Sequence, residues 1–391
     1  MLSVLSQTLR PIRYVLILLS LLWLSACELD VGGGGGPFVN TSAPVPVALL
    51  IPFGSGESTN DILATSLQNA AQLAVTDLGD VKIELRVYPT SGTAAGASVA
   101  ATKAANEGAK IILGPVFAEA ANAAGSAVSG RGLSVLSFSN NSQIAGGNVF
   151  VLGHTFENTA NRLIGYAKSR GFADVLVVHA NTTDGQIGRD AVQAAAANNG
   201  VNFTGSASYE FSQQGVISAV RDIAQQVKDT KTTAIMFESG PAGALPILAE
   251  LLPENGVDPK VIKFMGLTRW DIPTQTLSLS GLQGGWFALP DPSLSGSFKE
   301  RYTAAYGRAP HPLAGLAYDA VAAVGALIAG GDSDALSRAN LTQRSGFAGV
   351  NGVFRLREDG TNERAMAVVE IEANQVKVID PAPRSFDSAG F

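Results

Sequence analysis

The chain of 391 residues is 46% hydrophobic and 15% charged, has a formal net charge of −6, and contains one cysteine and three histidines. Its length fits two domains of roughly 150 residues, and so much apolar material with so little charge excludes disorder over most of it. The acidic balance argues against nucleic acid as a partner, because phosphate binding needs clustered Lys and Arg. A single cysteine excludes an intramolecular disulfide framework and a Cys-based zinc site, and His154, His179 and His311 are too widely spaced to suggest a His-rich metal centre.

Residues 1–26 have the layout of an export signal. Arg10 and Arg13 form a positive front, and Tyr14 to Trp23 form an apolar stretch too short for a bilayer span, which needs about 20 apolar residues. The stretch ends in Leu24-Ser25-Ala26-Cys27, which resembles a bacterial lipobox and implies that the mature chain begins at a lipid-modified Cys27. Residues 27–44 then read as a tether. Gly32 to Gly36 follow no strand and precede no Gly-Lys-Ser/Thr, so they look like a flexible leash and not like a phosphate loop.

From Val45 the chain alternates strand-like and helix-like segments. Val47 to Ile51 is a continuous apolar run stopped by Pro52, as expected of a strand buried on both faces. Leu63, Leu67, Ala70, Ala71 and Ala74 follow helical spacing after the caps Thr59, Asn60 and Asp61. Lys82–Tyr88, Ala109–Leu113 and Leu133–Phe138 read as strands, with helices over 94–107 and 118–128 between them. A second array follows, with helices over 158–169, 186–198, 216–227 and 242–252 and strands over 174–179, 203–209, 232–237 and 261–265. Alternation of this kind predicts parallel sheets with right-handed crossovers, in two lobes. Periodicity assigns the helices 295–306 and 312–329 to neither lobe. The tail from Gly352 to Ile379 alternates with period two around Asp359-Gly360 and Ala373-Asn374, and predicts a three-stranded antiparallel meander.

Several segments taken in order resemble the type I periplasmic binding proteins of the Leu/Ile/Val-binding group. They are Val47–Pro52, Asn69–Ala74, Ile111–Pro115, Val135–Ser139, Arg301-Tyr302 with Tyr306–Pro310, Leu316–Val321, and Phe347–Phe354 with its Asp359-Gly360 turn. The resemblance covers roughly residues 45–380. It implies an α/β fold of two Rossmann-like lobes joined by hinge strands, one at 45–153 plus 290–345 and the other at 154–289 plus 346–380, with 381–391 as a tail. Ligands in such folds sit between the lobes at the carboxyl ends of the parallel strands. Within the group, the lipobox, Gly114-Pro115 and Gly266-Leu267-Thr268-Arg269-Trp270 are most similar to the lipoproteins named penicillin-binding protein activators. That likeness implies a non-enzymatic protein held to the inner or outer membrane on its periplasmic side and docked on a peptidoglycan synthase. The alternative is an ABC-type substrate-binding lipoprotein that closes on an amino acid or other small polar solute and delivers it to a permease.

The resemblance also places the ligand contacts. An amino-acid carboxylate would meet the segment after Gly114-Pro115 together with Ser139, Asn140 and Asn141, although Val116, Phe117, Ala118 and Glu119 stand where amino-acid binders use small hydroxyl residues. In the second lobe Asp184 stands where an aromatic covers the ligand, and Thr268 where an acid holds the ammonium, with Arg269 and Trp270 beside it. Glu238 or Asp184 would substitute for that acid. Ser55, after the first strand, either lines the cleft mouth or ends the strand. Asn140-Asn141 and Asp184-Gly185 also read as simple turns, Trp270 as a packed interface residue, and Arg269 with Asp271 as a solvated pair. No Gly-x-Ser-x-Gly, His-Glu-x-x-His or full dinucleotide glycine pattern is present, so no catalytic residue, metal or cofactor is expected. His179 reads as a hydrogen-bonded strand-end histidine.

Overall fold

The computed structural model describes residues 36–386, so the expected export signal, Cys27 and most of the expected tether lie outside the described residues. The first array contains β1 (Val45–Ile51), α1 (Ser58–Asp77), β2 (Ile83–Pro89), α2 (Ala94–Asn106), β3 (Ile111–Leu113), α3 (Ala118–Val128), β4 (Val135–Ser137) and β5 (Val149–Val151). Its strands form a five-stranded parallel sheet in the order β2-β1-β3-β4-β5. The alternation within β1 explains the layering: Val47, Leu49 and Ile51 enter one core, while Ala48 and Leu50 enter the core on the opposite face.

The second array comprises α4 (Phe156–Ser169), β6 (Asp174–Ala180), α5 (Thr183–Asn199), β7 (Asn202–Tyr209), α6 (Gln213–Asp229), β8 (Ala234–Phe237), α7 (Leu245–Glu254), β9 (Lys263–Gly266) and β10 (Trp286–Leu289). The chain then returns through α8 (Pro292–Tyr306), α9 (Ala314–Ala329), α10 (Arg338–Leu341), β11 (Phe347–Gly349), β12 (Gly352–Leu356), β13 (Asn362–Arg364), β14 (Ala367–Glu372) and β15 (Gln375–Asp380). Seven strands form the second sheet in the order β15-β14-β10-β9-β8-β6-β7. Here too the two faces of one strand feed two cores, with Leu176 and Val178 on one side and Val175 and Val177 on the other. The helices that periodicity leaves unassigned settle on the first lobe, where Phe298, Tyr302, Leu316 and Val321 join the core under α1 and β1. Among the described residues no helix is long and apolar enough to cross a membrane.

The predicted three-stranded meander is corrected. β12 pairs with β11 on one side and β13 on the other in a separate three-stranded sheet, whereas β14 and β15 form a hairpin that joins the second lobe through antiparallel pairing of β14 with β10. The reason lies in β14, where Val368 fills one core of the second sheet and Val369 the other. A strand apolar on both faces belongs inside a sheet covered on both sides, not in an exposed ribbon.

The chain passes between the lobes at 152–155, 290–291 and 365–366. The first and third of these segments are bound together. Asn362 donates from Nδ2 to the carbonyls of Val151 (2.8 Å) and Gly153 (2.9 Å), and Arg364 donates from Nε to Leu152 O (2.7 Å). The Arg364 guanidinium also meets Asp319 of α9 at 3.1 Å, with side-chain exposures of 1% and 0%. Asp319 accepts further bonds from Val350 N (2.8 Å) and from Asn351 Nδ2 (2.9 Å). Burial pushes its carboxyl above the usual range, and Arg364 and the surrounding donors pull the other way. Gly349 makes room for the carboxylate, since a Cβ there would lie 2.2 Å from Asp319 Oδ1.

Candidate functional site

In open α/β sheets ligands bind beyond the carboxyl ends of the strands, so the residues that follow β1, β3, β4, β5, β6, β8 and β9 are the candidates. In the first lobe Gly114 and Pro115 are buried behind β3, with Gly114 N–H bonded to Leu136 O at 2.8 Å. Ser137 donates its hydroxyl to Pro115 O (3.1 Å) and accepts from Ser139 N (3.1 Å). The Ser139 hydroxyl accepts from Asn141 N (3.1 Å), and Asn141 Oδ1 accepts from Gln143 N (2.9 Å). Gly114, Pro115, Ser139 and Asn141 are thus brought together in one wall. Asn141 is committed to capping a short turn, as the bland reading has it, and Ser139, 4% exposed, keeps its hydroxyl proton free to donate. Asn140 is exposed beside them. Ser55 accepts from Glu57 N (3.2 Å), a local turn ahead of α1. Glu119 is exposed in the first turn of α3, a helix whose N-terminus has no side-chain cap.

The second lobe is built differently. Glu238 directly follows β8 and packs against α5, where Gly188 leaves it space: a Cβ at Gly188 would fall 2.6 Å from Glu238 Cγ. Its Oε2 accepts one bond, from Ala180 N at 3.3 Å, and among the described residues no Lys or Arg pairs with it. Burial raises its proton affinity, the Ala180 N–H opposes that, and the negative Asp184 raises it again. Asp184 lies exposed in the first turn of α5, whose cap is Thr182, its Oγ1 accepting from Gly185 N at 3.1 Å. The fold therefore places two carboxylates beyond the ends of β6 and β8, near enough for the charge of Asp184 to act on Glu238, and among the described residues neither forms an ion pair.

Beyond β9, Thr268 lies close to Gly240, and its buried hydroxyl has no hydrogen-bond partner among the described residues. Arg269 is held by Asp271 through Nε (2.9 Å) and Nη2 (2.5 Å), and it remains partly exposed. Trp270 is corrected from a ligand platform to a core residue. It is fully buried, its ring centroid 5.9 Å from that of Phe287 and 6.4 Å from that of Phe237, and it presents no face to a solute. His179 is buried with Nδ1 2.8 Å from Ala180 O, as the strand-end reading has it.

One residue the motifs did not single out is His154, in the first crossing between lobes. Its Nε2 is buried without a partner. Burial first, then the positive charges of Arg364 and Arg269, hold the ring well below the usual 6.5, so it is neutral. The charge of Arg269, in the loop after β9, thus reaches His154 just beyond β5. The sequence signal was weak: a histidine immediately before a helix cap, Thr155. Among the described residues no group of three or more His, Cys, Asp or Glu is arranged to hold a metal ion.

Comparison with known proteins follows the same geometry. A family profile described as periplasmic binding protein matches residues 44–375. Among solved structures, a putative branched-chain amino acid ABC transporter from Rhodospirillum rubrum superposes with a TM-score of 0.72 at 18% identity, covering 86% of this chain and 100% of that one. A branched-chain amino acid ABC transporter periplasmic ligand-binding protein from Burkholderia xenovorans gives 0.69 at 19% identity, with 87% and 94% covered. An ABC transporter substrate-binding protein from Desulfitobacterium hafniense, in complex with Leu, gives 0.65 at 17% identity, with 86% and 100% covered. No curated protein sequence matches. At such identities the superpositions establish the fold, while the chemistry rests on the residues above.

The Glu238 geometry has a pH signature. A folded-state proton affinity above the unfolded one means that the ionised group burdens the fold, that the burden is absent below the unfolded value near 4.5, and that it grows as pH rises through the folded value. Glu238→Gln is therefore expected to raise the melting temperature by a few degrees at pH 7, with the gain fading towards pH 4.5. Melting curves across that interval that show a loss at pH 7, or a gain independent of pH, would contradict the assignment of Glu238 as an uncompensated carboxylate.

Proposed function

Because the chain belongs to the periplasmic binding protein family, we propose that it is a substrate-binding protein that closes its lobes on a small solute bearing a protonated amine, of the amino-acid class, and hands it to an ABC permease. One observation carries this reading: the half-buried Glu238, with Asp184 beside it and no cation partner among the described residues, at the strand ends where the fold binds ligands. Burial raises the proton affinity of such a carboxylate, and a charge-assisted hydrogen bond to an ammonium in a desolvated place compensates that burial. Glu238 and Asp184 take the amine. The free Ser139 hydroxyl and the uncapped N-terminus of α3, supplemented by Arg269, take the solute's anionic end.

The protein works by binding and transfer, without chemistry on the solute, in the periplasm. The structural neighbours include branched-chain amino acid ABC transporter proteins and one complex with Leu, which supports solute delivery over docking on a peptidoglycan synthase. Lipid on Cys27 would keep the receptor beside the membrane that holds the permease. A Cys27→Ser chain is then expected in the soluble periplasmic fraction, and its retention with membranes would remove the anchor from this account.

The direct test is a thermal-shift and calorimetric scan of purified protein against the amino acids. A ligand at 100 times its Kd stabilises by about 2.7 kcal/mol, which reads as a shift of several degrees. At least one amino acid should produce it, and Glu238→Gln should weaken that ligand at least tenfold while leaving the fold intact. Absence of any shift across the amino acids, or an affinity that Glu238→Gln leaves unchanged, would reject the reading.

A further inference from the structure

We propose that the protein carries a second ligand site, for a small neutral polyhydroxylated solute of monosaccharide size, in the polar cavity between α4, the C-terminal end of α5 and β13. This cavity has a volume of about 250 Å³ and is walled by carboxamides, among them Asn158, Asn161, Asn198, Asn199 and Asn362. It is distinct from the cleft. Asp184 and Asn198 lie on the same helix fourteen positions apart, about 21 Å along its axis at 1.5 Å per residue.

The chemistry of the wall selects the class of solute. Each guanidinium in it is paired with a carboxylate, Arg162 with Asp380, Arg357 with Glu363 and Arg364 with Asp319, and only Arg364 keeps a buried Nη2 without a partner among the described residues, a donor that a solute hydroxyl can meet. The one wall carboxylate with no cation partner among the described residues is Glu157, which accepts from Ser142 Oγ at 2.6 Å and disfavours anions such as phosphate esters. What remains for a ligand is that single donor and the carboxamides. The carboxamide oxygens of Asn198 and Asn199 accept no hydrogen bond from the described residues, while Asn161 accepts only two long contacts of 3.4 Å from their Nδ2 atoms. Carboxamides offer a donor and an acceptor a short distance apart, the pattern that neighbouring hydroxyl groups complement. The volume is below the usual range for drug-sized ligands and suits a single ring or a short polyol.

The same wall reaches the hinge. Asn158 donates from Nδ2 to Asn362 Oδ1 (2.5 Å), and Asn362 in turn holds the carbonyls of Val151 and Gly153 in the first crossing. A solute in the cavity therefore contacts the residues that fix the hinge, and its binding should alter the affinity of the interlobe site through that shared set.

The full chain is titrated with D-glucose, D-galactose and myo-inositol by NMR or calorimetry, with Asn161→Leu and the exposed-position variant Asn198→Trp as blocking changes. Saturable binding of at least one probe is expected, weakened at least tenfold by either variant and unchanged by Glu238→Gln. Asn198→Trp keeps the test valid if Asn161→Leu lowers stability. No saturable binding by any probe overturns the proposal. So does binding that both blocking variants leave intact, or binding that Glu238→Gln abolishes, which would assign the sugar to the cleft. Because Glu238→Gln reports separately on the amino-acid site, failure here leaves the transport reading standing, and failure of that reading leaves this one standing.

Discussion

A carboxylate and a guanidinium with almost no exposed surface, Asp319 and Arg364, hold two of the three crossing segments of this protein in register. Moving such charges out of water is costly, and only good geometry with further donors recovers the cost. The structure supplies both. Val350 N–H and the Asn351 amide complete the Asp319 shell, and Arg364 donates its Nε–H to Leu152 O, in the strand exit that leads to the second lobe. Helix α9 belongs to the first lobe, β13 leads into the second, and the Leu152 carbonyl lies on the path between them. One buried pair thus connects the core of one lobe to two of the three segments along which the other must move.

That arrangement explains the uneven character of the candidate site. The first-lobe wall is self-satisfied: Ser137, Ser139 and Asn141 pass hydrogen bonds among themselves and to the backbone, giving a fixed surface. The second-lobe wall keeps Glu238 half-buried and uncompensated, and Thr268 with an unpartnered hydroxyl. A rigid wall facing one with unmet polar groups is what a two-lobed receptor needs, because the solute then supplies the missing interactions and favours the closed form. Neutral His154, beside Arg364 and Arg269, keeps a third positive charge out of the junction.

Much of the architecture was legible in the sequence because it rests on local patterns. The run Val47–Ile51, the helical spacing of Leu63, Leu67 and Ala70, and the alternation of arrays each state which face is buried, and the family resemblance ordered them into two lobes. The destination of the tail was not legible, since period-two alternation is shared by a free meander and a hairpin that joins a larger sheet. Only the burial of both faces of β14 decides between them. The hinge network was invisible for a related reason: Asp319 and Arg364 are 45 residues apart, and a lone Asp in an alanine-rich helix carries no signal of its partner. Around the site, Glu238 was readable as a strand-end acid. Trp270 followed the same kind of strand end but turned inward to the aromatic cluster with Phe237, Phe264 and Phe287, a choice made by packing.

The most direct measurement on the hinge claim is a double-mutant cycle at Asp319 and Arg364, followed by chemical denaturation. Asp319→Leu or Arg364→Met alone should each lower stability by about 3–5 kcal/mol, because each leaves a buried charge unpaired, and the double replacement should recover most of that loss. Small losses from the single variants that simply add in the double variant would contradict the account and return the hinge to ordinary packing.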